Sequence, residues 1–239
     1  MNRAITRGLA LAAVALAILE TGCANYGAAG GADPKQPNGF RTVVVDAGHG
    51  GHDSGGRGNG LVEKQLTLDT AKDLESDLRA MGFRVVMTRR DDTFYLLDDR
   101  VAMANAQRGN NAVLVSVHYD ASGRSGNGCT TFYWRVDSHG LAVRVQQALV
   151  AETGLNNVGV VRRRLRLTRN PDIPCLLVEC GYMTSKSDAA KISQPEFRAR
   201  VAMGIAKGLR SQFELGDAGI PSVPELHEPL SQASDRREY

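Results

Sequence analysis

Between residues 40 and 215 the apolar positions fall into two alternating rhythms. Continuous runs mark strands buried on both faces, and a 3.6-residue stripe marks helices. Thr42-Val43-Val44-Val45, closed off by Gly48, predicts a first strand of the buried kind. Lys64 to Met81 places Ala71, Leu74, Leu78 and Met81 on one stripe, which predicts a helix ended by Gly82. Phe83 to Thr88 reads as a second strand, Leu96 to Gln107 as a second helix, and Ala112 to Val117 as a third buried strand. Cys129 to Trp134 alternates, which predicts an edge strand. Leu141 to Glu152 reads as a helix, Cys175 to Val178 as another buried strand, and Pro195 to Phe213 as the last helix. Strands that alternate with helices in this way predict an α/β domain, a mostly parallel sheet with helices on both faces.

The ends of the chain break both rhythms. Arg3 and Arg7 precede Gly8 to Leu19, an unbroken run of twelve apolar residues. That run is too short for an ordinary membrane-spanning helix and fits an export signal over residues 1–23. Two readings of its end stay open. Gly22-Cys23 resembles a lipobox, with Cys23 as the lipidated new N-terminus that would attach the protein to a membrane, although Glu20 stands where that pattern has Leu. Cleavage after Ala24, with Gly22 and Ala24 as the small residues, is the competing reading. Residues 24–39, rich in Gly, Ala and Pro, read as a flexible tether. Residues 216–239 read as a disordered tail. The domain proper is 40–215, and the expected location is the periplasm or cell envelope.

Charge changes the picture little. A formal net charge of +3 in 239 residues exerts no strong pull on nucleic acid. The short run Arg162-Arg163-Arg164, with Arg166 beyond, reads as a solvated edge or loop, so no nucleic-acid partner is expected. Cys129, Cys175 and Cys180 remain after export. An oxidising compartment would permit one disulfide, but Cys175 and Cys180 flank one strand five residues apart and point to opposite faces. Buried free thiols are the favoured reading, and no CxxC spacing suggests zinc ligation.

Candidate chemistry sits where strands end. His49 follows the first strand, His118 closes the third, and Glu179 lies in Leu177-Val178-Glu179-Cys180-Gly181. Ligands of open α/β sheets gather outside the carboxyl ends of the strands, so these side chains are expected to converge. Glu63 stands at the same end, after a loop with seven glycines from Gly48 to Gly60. Two imidazoles and a carboxylate with an open fourth position suit a catalytic zinc. A further carboxylate would then move the proton of an attacking water. Spacing alone does not say which of Glu63 and Glu179 is ligand and which is base.

The stretch Val43 to Gly60 with Glu63-Lys64 resembles the zinc-dependent N-acetylmuramoyl-L-alanine amidase (Amidase_3) family. Thr88-Arg89, Arg100 with Ala104-Asn105, Ser116-Val117-His118 and Leu177 to Tyr182 extend the resemblance, in order, through nearly the whole domain. It implies a twisted mixed sheet, one Zn2+ held by His49, Glu63 and His118, and Glu179 as general base. It also implies peptidoglycan as the substrate, cut between N-acetylmuramate and L-alanine. Tyr119 stands where the family has a small residue and Val158 where it often has Arg, which suggests an altered groove. A zinc peptidase acting on the stem peptide is one rival reading, and a non-catalytic wall-binding module on the same fold is another. His52 reads as solvent-facing or substrate-side, and His139 and His227 as surface residues. Asp46 reads either as a partner that orients His49 or as a turn-stabilising residue. Arg100 and Asp99 read as members of ion pairs on a helix.

Overall fold

A computed structural model describes residues 39–121 and 126–224. The signal, Cys23, all but the last residue of the tether, His227 and most of the tail lie outside the described residues. The elements run β1 (Thr42–Ala47), β2 (Arg57–Gly58), β3 (Leu61–Val62), α1 (Glu63–Ala80), β4 (Arg84–Met87), α2 (Leu97–Asn105), β5 (Ala112–Asp120), β6 (Cys129–Tyr133), α3 (His139–Thr153), β7 (Asn157–Arg162), α4 (Arg166–Arg169), β8 (Cys175–Tyr182), α5 (Lys186–Ile192) and α6 (Pro195–Leu215).

Six strands form one sheet in the order β4-β1-β5-β8-β6-β7. The pairs β1–β4, β1–β5, β5–β8 and β6–β7 are parallel, and only β8–β6 is antiparallel. This is the mostly parallel mixed sheet expected, with helices on both faces. Every residue of β1 is buried, as its unbroken β-branched run requires. On one face Leu74 and Leu78 of α1, Val145 and Leu149 of α3 and Val201 and Ile205 of α6 pack on Val43, Val115 and Val178. On the other, Ala104 of α2 and Leu167 of α4 pack on Val44, Leu114 and Cys175. Where α3 crosses α6, a Cβ on Gly208 would fall 2.4 Å from Val145 Cα, so that close approach depends on glycine.

The sheet corrects the reading of β6. It is an interior strand between β8 and β7, not an edge. Its alternation came from Thr130 and Thr131, which are buried, and the Thr131 hydroxyl is satisfied inside by Gln146 Oε1 at 2.8 Å. A hydroxyl counts as polar in the sequence and as satisfied core in the fold. The true edge is β7, an element the periodicity did not predict, because Asn157 and Val158 are exposed and Gly159 interrupts the pattern. The arginine run starts with Arg162, the last residue of this edge strand, and of its three side chains only Arg163 is exposed. His139 is a second correction. Only 8% exposed, it packs its ring 5.2 Å from that of Tyr133, and burial lowers its pKa. Cys175 and Cys180 do belong to opposite faces of β8, and all three cysteines are buried free thiols.

Candidate metal centre and active site

Leaving β1 at Ala47, the chain turns through Gly48 and His49, and His49 has φ 61°. A left-handed residue with a Cβ costs roughly 1–2 kcal/mol, so something must hold it. Two arginines, each 2% exposed, do so. Arg100 donates Nη2 to His49 O at 2.6 Å and Nη1 to Ala47 O at 2.7 Å. Arg89 donates Nη2 to Gly48 O at 2.7 Å and Nε to Ala47 O at 2.9 Å. Three successive carbonyls are thus clamped from beneath. Arg100 is anchored in turn by Asp46 at 2.8 Å, and the Asp46 carboxylate also accepts from Thr88 Oγ1 at 2.7 Å and Ser116 Oγ at 2.6 Å. Burial acts to raise the Asp46 pKa, but the Arg100 charge and these hydrogen bonds outweigh it and hold the pKa below the usual carboxylate value. Of the two readings of Asp46, the orientation of the His49 ring is not met: Asp46 secures Arg100, which holds the turn. Arg100 does form an ion pair, and it is the buried one with Asp46.

The residue bonded to the His49 ring is Asp53, which sequence reasoning passed over. Its Oδ2 lies 2.7 Å from His49 Nδ1. Gly50 and Asp53 exchange backbone hydrogen bonds of 3.0 and 3.1 Å, so the turn itself delivers Asp53 to the ring. The i, i+4 spacing inside a glycine-rich loop was the only available signal, and a loop has no fixed period to make such spacing meaningful. His49 Nε2 then faces Glu63 Oε2 at 3.0 Å, and Glu63 Oε1 faces His118 Nδ1 at 2.9 Å. Gly56 N donates to Oε2 at 2.7 Å and Tyr119 N to Oε1 at 3.1 Å. Glu63 sits in the first turn of α1, where an anion is favoured by the helix dipole, and its own amide is satisfied by Gly56 O at 3.0 Å.

One candidate ligand atom from each of His49, Glu63 and His118 lies within 4.8 Å of the others. Tetrahedral donors about 2.0–2.1 Å from zinc are about 3.3 Å apart, which lies within that limit, and the two-imidazole, one-carboxylate set suits that ion. The glycines are part of this fit. A Cβ on Gly48 would fall 2.3 Å from His118 Cε1, and one on Gly55 would fall 2.6 Å from both Glu63 Oε2 and His49 Cδ2. Burial acts to raise the Glu63 pKa, but hydrogen bonds and charge from the two histidines drive it well below the usual carboxylate range. For His49 burial acts downward, and Glu63 and Asp53 together lift its pKa above the ordinary value.

Glu179 stands opposite His118 in the β5–β8 register and opposite Thr130 in the β8–β6 register. His49, Glu63 and His118 thus form one cluster, and Glu179 is the register neighbour of its His118. Glu179 Oε2 is shut off from solvent and has no hydrogen-bond partner among the described residues. Burial first, then the charges of Glu63 and Asp120, raise its pKa far above the ordinary value.

The profile of the Amidase_3 family, N-acetylmuramoyl-L-alanine amidase, matches residues 43–211. The chain belongs to this family. Among individual relatives, the chain is 35% identical over 184 residues to the N-acetylmuramoyl-L-alanine amidase LytC of Bacillus subtilis, covering 75% of the chain and 37% of LytC. It is 32% identical over 216 residues to the uncharacterized protein YqiI of the same organism, covering 89% of the chain and 99% of YqiI. The chain thus spans just over a third of LytC and nearly all of YqiI. Of solved structures, an N-acetylmuramoyl-L-alanine amidase from Clostridium difficile 630 superposes with a TM-score of 0.69 at 34% identity, covering 74% of the chain and 98% of that structure. The catalytic domain of CwlV from Bacillus (Paenibacillus) polymyxa superposes at 0.68 with 35% identity, covering 73% and 99%.

Within the amidase domain, a cleft beside the cluster is lined by Phe94, Tyr95, Leu97 and Leu167. His52 is exposed, as expected, with its ring 4.0 Å from that of Phe94. Tyr119 does not alter the groove. Its side chain is 0% exposed and its hydroxyl bonds Thr70 Oγ1 at 2.7 Å in the core on the far face, leaving only its amide at the site.

Proposed function

We propose that this amidase hydrolyses the amide between N-acetylmuramate and the L-alanine of the stem peptide, with His49, Glu63 and His118 holding one zinc ion and Glu179 as general base. The observation that carries the reading is the pairing of a compact His-Glu-His cluster with a second carboxyl, that of Glu179, which lies beside it and has its Oε2 unpartnered. Zinc, when bound, supplies Lewis-acid polarisation of the amide carbonyl and acidifies the attacking water. Asp53 keeps the proton on His49 Nδ1, which leaves Nε2 as the donor atom. Glu179, whose burial raises its pKa and so makes it a readier proton acceptor than an exposed carboxylate, takes a proton from the water and passes it to the departing amine nitrogen. Arg89 and Arg100 keep the His49 turn in place through the cycle. Purified protein incubated with sacculi should release stem peptides and leave peptide-free glycan by mass spectrometry, and a chelator should abolish the release. Products cut within the stem would instead identify a peptidase, and stoichiometric zinc without turnover a binding module.

The N-terminal segment supports export, with Cys23 as the lipid-modified residue, residues 24–39 as tether and 216–239 as tail. Intact-mass measurement of the cell-envelope protein tests this, since a chain beginning at Asn25 without acyl mass would favour simple cleavage. No helix among the described residues is long and apolar enough to cross a membrane.

A further inference from the structure

The arginine run has no part in the chemistry above, yet its position joins it to the site. Residues directly opposite in neighbouring strands share a face, and so do residues two apart on one strand. Glu179 and Leu177 of β8 therefore share a face with Thr130 and Phe132 of β6, since Thr130 pairs with Glu179 and Phe132 with Leu177. Phe132 in turn pairs with Val161 of β7. Arg163, just past β7, donates its amide to Tyr133 O at 2.7 Å and lays its guanidinium 5.6 Å from the centre of the Phe132 ring. The path from Glu179 to this cation runs about 8 Å diagonally to Phe132 on the neighbouring strand and then across one ring. About three extended residues cover such a span.

Arg163 is the exposed member of the arginine run, whereas Arg162 and Arg164 are half-buried against the Trp134 ring. Arg135 is bound by Asp137 and Arg166 by Asp98, whereas no carboxylate pairs with Arg163 among the described residues. Behind it, Arg164 packs over the Trp134 ring at 5.3 Å, and its Nε is buried without a partner. The charge of Arg163 is also felt at the site, where it opposes the upward shift of the Glu179 carboxyl. A guanidinium lying over an aromatic face keeps its N–H edges free for a planar, two-oxygen acceptor.

We propose that Arg163, seated over Phe132, is a specificity residue that binds a carboxylate of the peptide whose amide bond is cut, some three residues from the cleaved bond. The proposal rests on the amide-hydrolase reading and deepens it. The test uses two muramoyl tripeptides that differ only in a free carboxylate or a carboxamide at the third residue. Wild type should favour the carboxylate by roughly tenfold or more in kcat/KM, the range of a charge-assisted hydrogen bond. Arg163→Gln should bring the ratio close to one, and Arg163→Lys should restore part of it. An unaltered ratio in Arg163→Gln, or no preference in wild type, overturns the proposal. Loss of Arg163-dependent retention on vesicles of anionic phospholipid, with the peptide ratio intact, overturns it too and assigns the patch to the envelope surface. Should wild type cleave neither peptide, the hydrolase reading falls. Calorimetric binding of the same pair to wild type and Arg163→Gln then decides the role of Arg163 by itself.

Discussion

Glu63 and Glu179 flank the same histidine, one as its hydrogen-bond partner and the other as its register partner, yet their surroundings push them in opposite directions. Glu63 receives two imidazoles and two backbone amides, so its charge is stabilised and its pKa falls. Glu179 receives no partner at its inner oxygen and feels the charge of Glu63 itself, so its pKa rises. The contrast teaches how one rim divides labour between two identical functional groups. A carboxylate locked in the ionised state suits a cation, and one that readily takes a proton suits proton transfer.

The largest effect should come from removing the cation-holding side. Glu63→Gln is expected to lose stoichiometric zinc, measured by elemental analysis, and to lower turnover on the order of 10³-fold or more. The comparison breaks if that variant keeps its zinc. On the other side, Glu179→Gln should keep the metal while kcat falls about 10²–10⁴-fold, the range of general acid–base catalysis. Full activity in this variant would remove Glu179 from the mechanism.

A third variant separates the site from its support. Arg100→Met strands the buried Asp46 charge and releases the His49 and Ala47 carbonyls, so urea denaturation should show a loss of about 3–5 kcal/mol. Asp46→Asn in the same chain should recover part of it. Asp53→Asn keeps the shape but lets the His49 tautomer drift, and it should weaken zinc binding roughly tenfold, the lower end for such orienting partners, since Asp53 is one-third exposed.

The smallest effect is on the pH dependence of metal-free protein. Glu63 has a folded pKa below its ordinary 4.5, so its contribution is fully present above that pH and is lost as pH falls through the depressed value. His49 has a folded pKa above its ordinary 6.5, so its contribution is fully present below that pH and fades as pH rises through the raised value. The thermal midpoint of chelated protein should therefore carry an excess between pH 4.5 and 6.5 that Glu63→Gln flattens. Zinc should move the optimum upward, because ligation requires neutral His49.

Much of this architecture could be read before folding. The buried runs of β1, β5 and β8 and the stripe of α1 announce themselves because burial on both faces, or on one helical stripe, is written in consecutive residues. For the same reason β6 was misplaced and β7 missed, since whether a threonine or a glycine-broken segment is interior depends on which strand lies beside it. His49, His118 and Glu179 were legible as residue types at strand ends and Glu63 as one following the glycine-rich loop, and their order matched a family. Asp53, Arg89 and the Asp46–Arg100 pair were not, because their roles arise from contacts across 4 to 54 positions that no period encodes.

The sequence by itself determined the alternation of strands and helices, the supply of metal-capable side chains and the glycines that let them approach. Only the tertiary structure decided which carboxylate is held ionised and which is left short of partners, and where the cation of Arg163 lies. The physical reason is range. Hydrophobic periodicity is a property of neighbours along the chain, whereas the ionisation of a buried group is set by whatever the fold packs against it.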